Sequence, residues 1–140
     1  IDAFVIWQPF GWRAIAAVKD THIVTTASGY FEEWEAITTS KEYAAGHEAE
    51  LSAFLRGLDA AGKWIPNNLD EAAKIVATQI RFDDVKATRD MLQAINWDIS
   101  YTPGFRKAMD VVADFIKVKI DWPHMFDSRY LAKLGSSYVG

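Results

Sequence analysis

Runs of β-forming residues are confined to the first quarter of this chain, and every apolar repeat after Ser40 has helical spacing. Asp2 to Ile6 (DAFVI) reads as a buried strand, rich in β-formers and apolar on both faces. Pro9 suits the first turn of a helix, where its missing N–H costs nothing, and that helix extends through Val18. His22 to Thr26 (HIVTT) reads as a second strand. Glu33 to Thr38 reads as a third, with Trp34, Ala36 and Thr38 on one face and Glu33, Glu35 and Ile37 on the other.

The remainder divides into about six helices. Ser40 caps a short one through Tyr43 that ends near Gly46. Leu51, Phe54, Leu55 and Leu58 mark the next, stopped by Pro66. Leu69, Ala72, Ala73, Val76 and Ile80 form a third stripe, with Asn68 as its cap. Asp83 or Asp84 caps a fourth, turning Val85, Leu92 and Ile95 inward. Thr102-Pro103 opens a long fifth helix that ends at Trp122-Pro123, and Ser128 to Leu134 is the sixth. Residues 135–140 read as a tail. Three strands with one intervening helix do not complete a parallel sheet, which needs more strands beside a run such as DAFVI and helices on both faces. The missing strands are expected upstream of Ile1, which makes this chain a partial, C-terminal portion of an α/β protein.

Composition narrows the partners. The 140 residues carry a formal net charge of -4, with a pI near 5.3. Nucleic acid and anionic membranes both reward a basic surface, so neither is expected as the main partner. No apolar run approaches the roughly 20 residues of a membrane helix. The absence of cysteine excludes disulfides and thiolate chemistry. The histidines, His22, His47 and His124, lie far apart without a metal-ligand neighbour at useful spacing, so no metal is expected. Ser28-Gly29 lacks the GxSxG elbow, and glycine-rich phosphate loops are absent. Glu32, Glu33 and Glu35 read either as a solvated strand edge or as a carboxylate facing a cationic ligand group. No partner carboxylate is nominated for acid–base work. Neither catalytic residue nor cofactor is expected.

Trp7-Gln8-Pro9-Phe10 is the remaining candidate. It follows the expected end of a strand and precedes a helix N-terminus, where open α/β sheets bind ligands and free N–H groups favour an anion. Two readings stand on these residues: the rings cap a core, or they line a site.

The segment DAFVIWQPF resembles the V-D-A-x-x-x-W-x-P segment of the nitrate/sulfonate/taurine-type solute-binding proteins of ABC importers. The order of later motifs is similar to that family as well: Lys41-Glu42-Tyr43-Ala44, Phe54 with Ala60 and Ala61, Ala72 to Ala77, Tyr101-Thr102-Pro103, Trp122-Pro123, and Asp127 to Tyr130. The resemblance runs from Asp2 to about Leu134. It implies a type II, two-lobed, periplasmic-binding-protein-like fold, of which this chain supplies the C-terminal portion. On that reading residues 1–29 end the second lobe, 30–39 form a hinge-crossing strand, 40–134 are C-terminal helices of the first lobe, and 135–140 are a tail. It implies capture of a small anionic or zwitterionic solute by lobe closure, delivery to a membrane permease, and a periplasmic or lipid-anchored location. Trp7, Gln8 and Pro9 would face the cleft, and Trp34 and Glu35 would lie near the hinge as further ligand-binding candidates. Gln8 stands where family members often have an acidic residue. The rival expectations are an enzyme of the same fold in pyrimidine-precursor synthesis and a structural helical interaction domain. Unpaired strand edges also lead to an expectation of self-association.

Overall fold

A computed structural model describes residues 2–30 and 32–139. Ile1, Phe31 and Gly140, which fall in the expected lobe, crossing and tail segments, lie outside the described residues.

The α/β, two-lobed expectation is overturned. Among the described residues there are eight α-helices and no strand: α1 (Phe10–Ala17), α2 (Lys41–Gly46), α3 (Glu48–Trp64), α4 (Leu69–Ile80), α5 (Val85–Ala94), α6 (Pro103–Ile116), α7 (Trp122–Met125) and α8 (Arg129–Ala132). The one β contact is an isolated parallel bridge between Tyr101 and Val139. DAFVI, HIVTT and Glu33 to Thr38 run without helix or ladder. The reason lies in the nature of β propensity. It describes fit to a half-buried pleated surface rather than an intrinsic backbone preference. Among the described residues none of these runs meets a neighbouring strand, so no ladder takes up their N–H and C=O groups, and the Thr26 carbonyl accepts instead from the adjacent Thr25 hydroxyl at 3.4 Å.

The helices follow local signals closely. Ser40 Oγ accepts from the Tyr43 N–H at 3.0 Å, Asp84 Oδ1 from Ala87 at 2.8 Å, and Thr102 Oγ1 from Phe105 at 3.3 Å. Asn68 occupies the N-cap of α4 but turns its amide away, donating Nδ2 to the Trp64 carbonyl at 2.8 Å. Two helix ends carry no glycine signal. Arg81 (φ 52°) closes α4 and Lys117 (φ 60°) closes α6 in the left-handed conformation. The next residues, Phe82 and Val118, donate back to Ala77 and Ala113 at 2.9 and 2.8 Å. α6 therefore stops at Ile116, and Trp122-Pro123 opens α7 instead of ending the long helix.

The chain forms two compact units: residues up to Ser28 with Lys63–Trp97, and Gly29–Gly62 with Asp98 onward. In the first, α4 and α5 pack through Ala72, Ala73 and Leu92, with Ile65, Leu69, Val76 and Trp97 around them. Thr88 is fully buried there, its hydroxyl donating to the Asp84 carbonyl at 2.9 Å. The small side chains of Ala72 and Ala73 leave room for the close approach of the second helix. In the second unit rings do the packing. Tyr101 stacks on Phe126 at 3.9 Å, and Phe105 meets Trp34, Tyr101 and Trp122 edge-on at 5.6–6.2 Å. The last residues are held as well: Tyr138 donates its hydroxyl to Asp59 at 2.6 Å, and its carbonyl accepts from the Tyr101 N–H at 2.9 Å.

Little apolar surface is withdrawn from water. The accessible surface is 11041 Å². Phe4, Ile6 and Trp7 are 54%, 43% and 64% exposed, and Val5 is fully so.

Candidate binding surface at the N-terminal aromatic turn

Trp7, Gln8 and Pro9 form the turn into α1. The Phe10 N–H donates to the Trp7 carbonyl at 3.1 Å and Arg13 N–H to the Pro9 carbonyl at 3.0 Å. Gln8 works as the cap of this helix, its Oε1 accepting from the Trp12 N–H at 3.1 Å. The amide lies so close over Gly11 that a Cβ there would sit 3.3 Å from both Oε1 and Nε2. Gln8 therefore has its amide oxygen engaged in the fold. Trp7 stands open and meets Phe10 edge-on, 6.1 Å between centroids at 86°.

Arg13 organises what lies behind these rings. Its Nη2 donates to the Ile80 and Arg81 carbonyls at 2.8 and 3.1 Å, satisfying the exposed C-terminal end of α4. Its guanidinium lies over Phe10 at 5.7 Å and Phe82 at 5.8 Å. Trp12 stacks on Phe82 at 6.4 Å and 11°. Sequence reasoning passed over Arg13. The signal was present as a lone cation inside the apolar run GWRAIAA, but the carbonyls it would meet are 67 residues away.

Trp34 and Glu35 belong to the second unit. Trp34 packs on Phe105, and a Cβ on Gly104 would lie 3.8 Å from its ring. Its Nε1–H is buried without an acceptor, a loss of about 1–3 kcal/mol for such a donor. Trp122 in the same ring cluster differs, donating Nε1 to Asp110 at 2.9 Å with Arg106 over its face at 5.3 Å. Glu35 is exposed.

Two of the histidines are used locally. His47 stacks on Tyr43 at 4.0 Å with Nδ1 3.0 Å from the Tyr43 carbonyl, and His124 Nδ1 lies 2.7 Å from Asp121. No group of three metal-ligating side chains is found among the described residues. Charge is paired at the end of the second unit. The Lys133 ammonium bonds the Glu48 carboxylate and holds it below the usual carboxylate range. The Arg129 guanidinium bonds both Asp127 oxygens and holds that carboxyl low too. In the first unit an open depression of about 370 Å³ lies at the start of α4, bounded by Asn67, Asp70 and Arg89. Its cation is already committed, Arg89 donating to Asp70 at 2.6 Å and to Gln93 at 3.1 Å. None of the expected ligand residues lines it.

This surface is thus an exposed aromatic run leading into a ring ladder closed by an arginine. No protein-family model, no curated protein and no solved structure matches the chain.

Proposed function

We propose that the chain is a helical interaction module whose N-terminal apolar surface is covered by a second copy of itself. The observation that carries this is the continuous exposure of Phe4, Val5, Ile6 and Trp7, with Ile23 and Val24 uncovered in the same unit. Contiguous apolar surface of this kind marks an interaction site. A two-fold interface sets a patch against itself, and Ala3–Trp7 carries no charge to repel its own copy. Sedimentation velocity over a concentration series tests the reading. A reversible dimer is the expected outcome, and a monomer at 100 times the lowest concentration would sink it.

A second reading is favoured by the open Trp7–Phe10 pair at the N-terminus of α1 and by the order of the sequence motifs. In it the chain contributes to the solute-binding component of an ABC importer, outside the cytoplasmic membrane, taking a sulfonate-, taurine- or nitrate-class solute and serving a permease. Both readings are non-catalytic. Isothermal titration with taurine, alkanesulfonates and nitrate tests the second, and heat from none of them would discard it.

A further inference from the structure

We propose that Glu32–Thr39 is a releasable strap seated on the second unit by Trp34 alone. Three observations meet here. Within 32–39, Trp34 is the one residue that is not exposed. No hydrogen bond joins any of these eight residues to the rest of the described chain. The seat itself is imperfect, because burying the Trp34 ring on Phe105 seals its Nε1–H away from any acceptor. Ring contact favours the closed state and the stranded donor disfavours it, so the donor offsets part of what holds the strap down. Regions held by few contacts and few backbone hydrogen bonds are those that open locally. Trp122 shows the alternative within one cluster: its indole is both packed and hydrogen-bonded. Release uncovers the face of Phe105 that Trp34 covers, beside Gly104 on α6.

The test is NMR on the full chain, following the indole Nε1–H signals after through-bond assignment. Trp34 is expected to show relaxation dispersion to a minor state populated at about 0.1–10%, and its indole proton to exchange with solvent at least tenfold faster than those of Trp97 and Trp122. Equal protection of all three, or dispersion shared equally by all three, would overturn the strap. The first outcome means a fixed seat, and the second means global opening.

Discussion

The guanidinium of Arg13 closes the C-terminus of α4 by donating to the Ile80 carbonyl at 2.8 Å, across 67 residues of chain. One side chain from α1 thereby satisfies carbonyls the helix leaves open, and lies against Phe10 and Phe82 as it does so. Arg13→Ala should lower stability by about 1–2 kcal/mol, the range for a charge-assisted bond in a partly exposed setting. Arg13→Lys should recover less than half, because an ammonium lacks the planar fork that reaches two carbonyls and lies on rings. Urea unfolding followed by tryptophan fluorescence measures both. Equal midpoints for Arg13→Ala and the parent would show that the contact contributes nothing.

Leu92 is 2% exposed and sits against Ala72 and Ala73 in the first unit. That core is built from small residues, with little else to close a gap. Leu92→Ala should cost about 2–4 kcal/mol and broaden or abolish the unfolding transition. Calorimetry reads this directly, and a loss under 1 kcal/mol would mean that the site collapses freely.

Glu48 and Asp127 both titrate below their ordinary range in the folded chain, Glu48 through Lys133 and Asp127 through Arg129. A lowered folded pKa means that the folded state favours the anion more than the unfolded chain does. The resulting stability is whole above about pH 4.5 and is lost as pH falls through the lower folded values. Thermal midpoints should therefore drop with acid below about pH 4.5. Glu48→Gln should flatten that slope, as should 1 M salt, since these pairs are exposed. An unchanged slope in Glu48→Gln would remove Glu48 from the account.

Val5 is fully exposed and Val24 84% exposed, so neither contributes to the folded monomer. Val5→Lys with Val24→Lys should leave the urea midpoint within about 0.5 kcal/mol of the parent. The same pair should weaken association at least tenfold by sedimentation, because two buried like charges would face each other across a two-fold interface. Undiminished association would place the interface elsewhere.

Lys117 closes α6 at φ 60°, a conformation that strains any side chain. Lys117→Gly should raise stability by about 0.5–1 kcal/mol, and Lys117→Val should lower it by at least as much, since a β-branched residue tolerates this region worst. Chemical denaturation of both variants decides it. A loss on Lys117→Gly would assign the lysine side chain a role of its own.

Helix positions were legible wherever the signal is local. Ser40, Asp84 and Thr102 cap the helices that follow them because the bond spans only three residues. Pro66 and Pro103 mark an end and a start because proline fixes φ and lacks a donor. Of the stripe Leu69, Ala72, Ala73, Val76 and Ile80, Ala72 and Ala73 are buried with Leu69 and Val76 beside them; of Val85, Leu92 and Ile95 only Leu92 turns inward, and Val85 and Ile95 are exposed. The ends at Arg81 and Lys117 were not legible, since a non-glycine residue in the left-handed region leaves no mark in composition. The stranded indole of Trp34 was equally hidden. Alternation placed the ring on one face, but whether an acceptor waits there depends on residues some seventy positions later.

What the sequence determined by itself is therefore most of the helical part: which segments coil after Ser40, and the caps at Ser40, Asp84 and Thr102, whereas Asn68 turns its side chain away from its helix and Val85 and Ile95, read as inward, are exposed. What only the tertiary structure decided is the fate of DAFVI, HIVTT and Glu33 to Thr38 and the task of Arg13. A helix satisfies its backbone within its own segment, so local residues suffice to specify it. A strand needs a neighbour from elsewhere, and a cation reaching helix carbonyls needs that helix brought to it. Strand-forming composition without a neighbour leaves an exposed apolar run, and it is on that run that the proposed interface rests.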